Sequence, residues 1–236
     1  MLQPETFALE LGLHFVNTYS HIHKAHVDII KLKWSRIPVK GAPHKHSFVR
    51  DGEDKRHVSV VVDATQGKNR LSATCKAGVS DLLVLKSTGS SFENFVRDKY
   101  TTLPDVNDRI FSTSVECNYN IPIPASALTV AALPRIGIDF EHIFASMLET
   151  TFETFATHDS ASVQATLYNM CVKILADNKH VSDVGYKLPN KHYFAVNMDY
   201  IGVKNSKPKD AEVFQPVADP SGLIIATVSR DSVSKL

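Results

Sequence analysis

Phe92 and Arg109 stand on either side of a turn-rich stretch, and together they have the chemistry to hold a flat anionic ring. An aromatic face stacks on a heteroaromatic ring at modest entropic cost. An arginine adds a planar fork of donors with fixed geometry and a permanent charge in the plane of that ring. A core phenylalanine and a surface arginine would look the same, so the pair indicates a binding site only together with its neighbours in sequence.

Three further polar residues lie at positions suited to such a ring. Gln164 falls in the first turn of a predicted helix, where unpaired backbone N–H groups favour an anion and the amide offers one donor and one acceptor. Asn190 and His192 are two residues apart at the predicted start of a strand, so their side chains point to one side. The asparagine can hold a small polar guest, and the histidine can move protons near neutral pH. Taken singly, each is equally well explained as a solvated surface residue.

The histidine-rich segments offer a competing metal site. Five histidines lie on either side of a predicted hairpin, at positions 21, 23, 26, 44 and 46. Two histidines separated by one residue on a strand present both rings on one face, which suits zinc or copper. The nearest carboxylates are those of Asp28 and Asp51, and no cysteine is close in sequence. We therefore expect a structural role for these histidines and no metal.

Composition limits the function classes. The chain has 236 residues, of which 43% are hydrophobic and 22% are charged, as in a soluble globular protein with a sizeable core. Its 26 basic residues are scattered among 25 acidic ones, so no charged surface indicates nucleic acid or a membrane. No apolar run approaches the roughly 18 residues of a membrane span. Cys75, Cys117 and Cys171 are too few and too far apart for a disulfide framework.

The apolar periodicity predicts an α+β arrangement. Helices are expected from Pro4 to about Tyr19 and over two segments of the second half, the first capped by Asp139 and the second by residues 158–160. Strands are expected near residues 27–34, 46–62 with a polar break at 51–55, 71–85 with a break at Gly78, 109–119, 184–188, 193–198 and 223–228. Helices joined by a short link are antiparallel neighbours, so the pair is expected to cover one face of an antiparallel sheet.

The stretch KSTGSSFENFVRDKYTTLPDVNDRIFST resembles the urate oxidase (uricase) family, which reads KST-x-S-x-F, R-D-x-[YF]-T-T-L and D-R-x-x-[SA]-T. The resemblance extends over nearly the whole chain through five further matching segments: HIHKAHVDI, KLKWSRI, PHKHSFVRD, SASVQATLY and LPNKHYF. It implies a tunnelling fold (T-fold), with antiparallel sheets and paired helices on one face. The expected organisation is an incomplete first unit at residues 1–67, a second unit at 68–233 and a targeting tail at 234–236.

The resemblance also implies the residue roles. Phe92 stacks on urate, Arg109 and Gln164 clamp opposite edges of the ring, and the backbone N–H of Val163 assists. Asn190 and His192 are the implied catalytic residues: the first holds dioxygen or water above the ring and the second relays protons. The implied reaction oxidises urate with O2 to 5-hydroxyisourate and H2O2, without metal or organic cofactor. The implied assembly is a homotetramer around a central tunnel.

The last three residues, Ser234-Lys235-Leu236, form a peroxisomal import address at the position where it is read. The expected partner is the peroxisomal import receptor, and the expected location is the peroxisome of a eukaryote. A peroxisome suits a reaction that releases hydrogen peroxide.

In the family, a catalytic Lys and Thr come from an earlier hairpin, and each site forms between two subunits. Pro4 aligns well after that hairpin, so this chain carries only the Arg, Gln, Asn and His side. Either the sequence is truncated relative to a working enzyme, or it is a non-catalytic, urate-binding or assembly-modulating subunit. We favour truncation, because a unit lacking two strands would expose a sheet edge. We expect little or no activity from this chain alone.

Overall fold

A computed structural model describes residues 3–129, 131–132, 135–159, 162–205 and 211–233. The helices are α1 (Pro4–Thr18), α2 (Phe140–Thr157), α3 (Val163–Asp177) and the short α4 (Arg230–Val233). The strands are β1 (Lys24–Val39), β2 (Ala42–Asp63), β3 (Ser72–Lys86), β4 (Phe111–Pro122), β5 (Asp183–Ala195), β6 (Phe214–Val217) and β7 (Leu223–Ser229). None of the helices in these ranges is long and apolar enough to cross a membrane.

The seven strands form one antiparallel sheet in the order β1-β2-β3-β4-β5. The far edge of β5 is shared by two strands, because β7 pairs with residues 183–189 and β6 pairs with residues 192–195. β5 therefore has partners on both sides along most of its length. This is the strand that carries Asn190 and His192.

One face of the sheet is buried beneath the helices. Every second residue of β2 from Arg56 to Val62, and of the facing parts of β3, β4 and β5, points to this core. Three of them, Val60, Cys75 and Ile121, follow one another across the sheet in register. α1 packs on β1 and β2, whereas α3 packs on α2, β5 and β7. The expected α+β fold, with paired helices on one face of an antiparallel sheet, is confirmed.

Side-chain caps fix where α2 and α3 begin. Asp139 accepts a hydrogen bond from the backbone N–H of His142 at 3.0 Å, as expected for the cap of α2. Ser162 caps α3 by accepting from the N–H of Ala165 at 3.2 Å. The predicted cap at residues 158–160 is therefore wrong for the described part of that segment, and Ser160 lies outside the described residues.

Two predicted strand breaks are also wrong. β2 continues through residues 51–55, although its pairing with β1 is interrupted there: Trp34 pairs with Arg50 and Leu32 with Lys55, so the intervening residues form a bulge in this exposed hairpin. β3 continues through Gly78, where the strands approach so closely that a Cβ would lie 1.9 Å from the carbonyl oxygen of Cys117. The turn of the predicted hairpin consists of two residues, with φ of 52° at Lys40 and 82° at Gly41.

The predicted gap between two strands at Pro189–His192 is the third difference. β5 runs unbroken from Asp183 to Ala195, and Thr113 donates from its hydroxyl to the carbonyl of Pro189 at 2.9 Å. β6 was not predicted, because it has only four residues and contains a proline. The predicted boundary at 67/68 falls in the loop between β2 and β3. Those strands pair directly, and the division into two units stays a prediction.

A buried ion cluster joins two helices to the sheet. Arg56 on β2 is 6% exposed and donates to both carboxylate oxygens of Glu5 on α1, at 2.9 and 3.0 Å, and to Glu141 on α2 at 2.7 Å. Its guanidinium also lies 4.3 Å from the centre of the Phe144 ring. Burial alone would lower the pKa of Arg56, but the two carboxylates outweigh it and the pKa is raised. The cluster therefore fixes the positions of α1 and α2 relative to β2.

We predict that Glu5→Gln lowers the free energy of unfolding by about 3 kcal/mol, because it leaves the buried guanidinium with only the partly exposed Glu141 as counter-charge. The measurement is the urea midpoint of the purified variant. The matched control is Asp81→Asn, which breaks the exposed Lys55–Asp81 bridge of 2.8 Å and should lose at most about 1 kcal/mol. Equal losses for the two variants would contradict the assignment.

Candidate active site

Arg109, Asn190 and His192 line one cavity of about 380 Å³ between the start of β4 and the outer half of β5. The remaining walls come from the same two segments and from the residues before β4, among them Leu103, Val106 and Phe194. A volume of this size falls in the range of small-molecule sites. Three of the predicted site residues thus converge, although 81 to 83 positions separate Arg109 from the other two in sequence.

Arg109 is held by its backbone and leaves its side chain for a ligand. Its N–H donates to the carbonyl of Ser90 at 2.9 Å, and its guanidinium lies 5.2 Å from the centre of the Phe92 ring. Burial lowers the pKa of Arg109 from its ordinary value. The Nε atom is buried and has no hydrogen-bond partner among the described residues. A buried donor in this condition is destabilising unless a ligand or water accepts from it.

Phe92 is positioned by a miniature ladder inside the segment between β3 and β4, residues 87–110, which we call the connector. Its N–H donates to the carbonyl of Val106 at 2.7 Å, and its own carbonyl accepts from the N–H of Val106 at 3.0 Å. Its ring stacks on Phe95 with centroids 4.7 Å apart. Phe92 does not itself line the cavity, but its ring lies next to Arg109, which does. The predicted aromatic and cationic pair is therefore adjacent in space.

Asn190 and His192 lie within β5 rather than at a strand start. The backbone N–H of Asn190 donates to the carbonyl of Gly222 at 2.8 Å. A Cβ at Gly222 would come within 3.3 Å of the Asn190 amide nitrogen, so position 222 has little room for a side chain. The Oδ1 atom of Asn190 is buried and unpaired among the described residues. Two residues that line the cavity therefore carry unused groups: Arg109 has an unused donor and Asn190 an unused acceptor.

Asp108 organises the connector, and sequence reasoning gave it no role. Its carboxylate accepts from the hydroxyl of Thr88 at 2.7 Å and from the N–H of Gly89 at 2.9 Å. The Thr88 hydroxyl, followed by backbone N–H groups that include those of Ser90 and Arg109, holds the pKa of Asp108 below its ordinary value. The signal was present in the Asp-Arg pair of the motif, where the aspartate directly precedes the predicted ligand residue.

Val163 and Gln164 lie at the start of α3, away from the cavity residues. Val163 is buried, whereas Gln164 is exposed, and neither lines the cavity that contains Arg109. The two halves of the predicted clamp therefore do not close on one cavity within the described part of a single chain. The placement of Gln164 in a first helical turn agrees with the sequence expectation.

The described residues bring no three histidines, cysteines or carboxylates close enough together to hold a metal ion. Within the competing histidine set, the rings of His44 and His46 lie 4.5 Å apart in an edge arrangement. The three cysteines are buried and form no disulfide. Burial raises the pKa of Cys75 and of Cys171 to about 12, which leaves both thiols protonated.

Known proteins with the same fold and sequence pattern are uricases. The family model described as Uricase matches residues 6–61 and 75–225. The uricase of Emericella nidulans is 46% identical over 235 residues, which cover 99% of this chain and 75% of that protein. The uricase of Oryctolagus cuniculus is 33% identical over 239 residues, covering 98% and 72%. The crystal structure of the uricase from Arthrobacter globiformis gives a TM-score of 0.79 at 31% identity, covering 98% of this chain and 71% of that one.

The fold defines an α+β protein of the T-fold class, with a cavity of small-molecule size at the end of the helix-covered sheet face. The matched family model and the curated relatives extend over most of the sequence. The chain belongs to the uricase family, a family of oxidoreductases.

We predict that Asp108→Asn loosens the connector, so that a broad-specificity protease cleaves residues 87–110 about five to ten times faster at pH 7, the scale of a lost charge-assisted hydrogen bond. The control is Asp105→Asn, which removes only the exposed Arg97–Asp105 bridge of 2.9 Å. Because the pKa of Asp108 is lowered by folding, its contribution is present above the unfolded value of about 3.9 and is lost as the pH falls through the lower folded value. Cleavage of the wild type that does not increase in that acid range would contradict this role.

Proposed function

We propose that this chain is a urate oxidase subunit that binds urate in the 380 Å³ cavity. The observation that supports this most directly is the pair of unsatisfied buried groups on two residues lining that cavity, the Nε of Arg109 and the Oδ1 of Asn190. The edge of urate, a flat anion, can accept hydrogen bonds from the Arg109 guanidinium, and the Asn190 oxygen can accept one from a water held above the ring. Phe92 supplies the aromatic face beside the arginine.

In the proposed reaction, urate, O2 and water give 5-hydroxyisourate and H2O2. Urate transfers two electrons to dioxygen, which takes up two protons and leaves as peroxide, and the oxygen of water becomes the hydroxyl at C5. Asn190 holds the dioxygen or the water above the ring, and His192 moves a proton at its imidazole. The protein contributes positioning and proton transfer. The electron-rich urate anion donates directly to oxygen, so the proposal includes no metal and no organic cofactor.

Val163 and Gln164 complete the clamp on the opposite edge of urate in this proposal. In the family arrangement, the Arg, Gln, Asn and His side of each site comes from one subunit of a homotetramer, so Val163 and Gln164 belong to the same clamp as Arg109 of this chain. The placement of Gln164 in the first turn of α3 supports this role. A non-catalytic, binding-only subunit is the alternative.

We predict that Arg109→Gln weakens binding of xanthine, a planar purine that the reaction cannot oxidise in the same way, by about tenfold to a hundredfold. The measurement is isothermal titration calorimetry on the purified assembly, and the control is Arg97→Gln, an exposed arginine of the same connector. Peroxide release from urate, assayed with and without a chelator, then separates the two candidates. Turnover would exclude the binding-only subunit. Xanthine binding without turnover fits both candidates, because little or no activity is expected from this chain alone, and absence of binding in the wild type contradicts both.

We further propose a peroxisomal location, carried by Ser234-Lys235-Leu236, which lie outside the described residues. A fluorescent protein fused to the N-terminus of the chain should give punctate signal that coincides with a peroxisomal marker. Removing the last three residues should make the signal diffuse. Puncta that persist without them would show that another signal directs the protein.

A further inference from the structure

We propose that Lys86 is a positioning residue that joins the two halves of the urate clamp. One half is the connector, with Phe92 and Arg109, and the other is the start of α3, with Val163 and Gln164. This inference rests on the proposed function, because it concerns how the same clamp is held. Lys86 is the lysine of the Lys-Ser-Thr segment of the sequence motif. None of the three residues in that segment was assigned a role as a ligand residue.

The ammonium of Lys86 lies against the end of α2. Its Nζ donates to the carbonyl of His158, the residue after the last turn of α2, at 2.9 Å. It also lies 5.9 Å from the centre of the Phe155 ring. Lys86 is the last residue of β3, so this contact connects the end of a strand to the end of a helix 72 positions later. A carbonyl at a helix C-terminus has no intrahelical partner, which makes it a natural acceptor for a cation.

From His158 the contacts continue into α3. The Nδ1 of its ring lies 3.2 Å from the hydroxyl of Thr166, and Nε2 lies 3.0 Å from the amide nitrogen of Asn169. Thr166 also donates to the carbonyl of Ser162, the cap residue of α3. Thr166 is two positions after Gln164. The lysine therefore fixes His158, and His158 fixes the helical turn that carries the second half of the clamp.

On the other side, Lys86 is tied to the connector. It pairs with Phe111 at the start of β4, and the Phe111 ring lies 5.2 Å from that of Phe155. A Cβ added at Gly89 of the connector would lie 3.9 Å from the Nζ of Lys86 and 3.4 Å from Oδ1 of Asp159, in the segment between α2 and α3, so the ammonium and this carboxylate both face the connector. Burial lowers the pKa of Lys86, and the charges of Asp159 and Asp108 oppose that shift.

A simple role in stability would predict a different outcome from a role in positioning. A stabilising contact changes the fraction of folded protein but leaves the affinity of folded protein unchanged. A positioning contact changes the affinity of molecules that are fully folded, because the two halves of the clamp no longer hold the correct separation. Restoring a cation of similar reach should restore the affinity in the second case.

The experiment compares Lys86→Met, Lys86→Arg and the control Lys179→Met in the full chain; Lys179 is exposed and lies beyond the far end of α3. Xanthine is titrated into each variant at a temperature where melting curves show it to be folded. Lys86→Met should weaken binding about tenfold, the scale of one lost charge-assisted hydrogen bond. Lys86→Arg should recover most of that loss, and the control should match the wild type. Unchanged affinity in folded Lys86→Met would overturn the proposal.

Hydrogen–deuterium exchange on the same proteins gives a readout that does not depend on the ligand. In Lys86→Met, amide protection should fall together at residues 87–92 and at residues 162–166, with the α1 helix unchanged. Loss in only one segment, or loss throughout the chain, would show that Lys86 does not connect the two halves. If wild-type protein fails to bind xanthine, the proposed function fails, and the exchange pattern alone decides whether the connection exists.

Discussion

Side chains along each strand point alternately to the two faces of the sheet, and both the core and the candidate site depend on this alternation. On β5, Val184, Tyr186 and Leu188 face the helices and are almost fully buried. Asn190 and His192 continue the same alternation beyond the area that the helices cover. A shift of one residue in the pairing of β5 would expose the core residues and turn the two polar residues to the opposite face. The same register therefore determines stability and the content of the cavity.

Neighbouring strands make that register difficult to change. Thr113 lies opposite Asn190 in the ladder and donates to the carbonyl of the residue before it, while Gly222 accepts from the Asn190 backbone on the other side. Asn190 is thus fixed from both edges of its strand. Gly78, farther along the sheet, permits an approach of β3 and β4 that no side chain would allow. These contacts are local, yet each one limits where the cavity residues can lie.

Charge burial determines where the helices sit on this face. Arg56 stays charged inside the protein, and burying that charge is strongly destabilising unless Glu5 and Glu141 accept its donors, so α1 and α2 have little freedom to slide across the sheet. The position of α2 then places His158 at the end of β3, where it meets Lys86. The buried charge of Arg56 thus influences the geometry of the candidate site through the position of α2, without involving a ligand.

Sequence periodicity predicted the long helices and the class of fold, because apolar residues at three- and four-residue spacing form the buried stripes of α2 and α3. It failed where a strand continues despite the character of its side chains, as in the polar stretch 51–55 of β2 and at Pro189 of β5. It also placed the cap of α3 at residues 158–160, whereas Ser162 caps the helix. These decisions are made by partner strands and neighbouring turns that lie far away in sequence.

The convergence of Arg109 with Asn190 and His192 could be predicted only through the family motifs, since periodicity gives no distance between β4 and β5 residues. Asp108 and Lys86 escaped notice for a different reason. Neither touches the expected ligand, and each acts on backbone groups whose positions are invisible before folding. The family motifs therefore indicated residues that carry unsatisfied atoms in the fold, while the structure reveals residues that fix the backbone near them. Asp108 holds the connector just before Arg109, Thr113 holds β5 just before Asn190, and Lys86 holds the end of α2 beside β3.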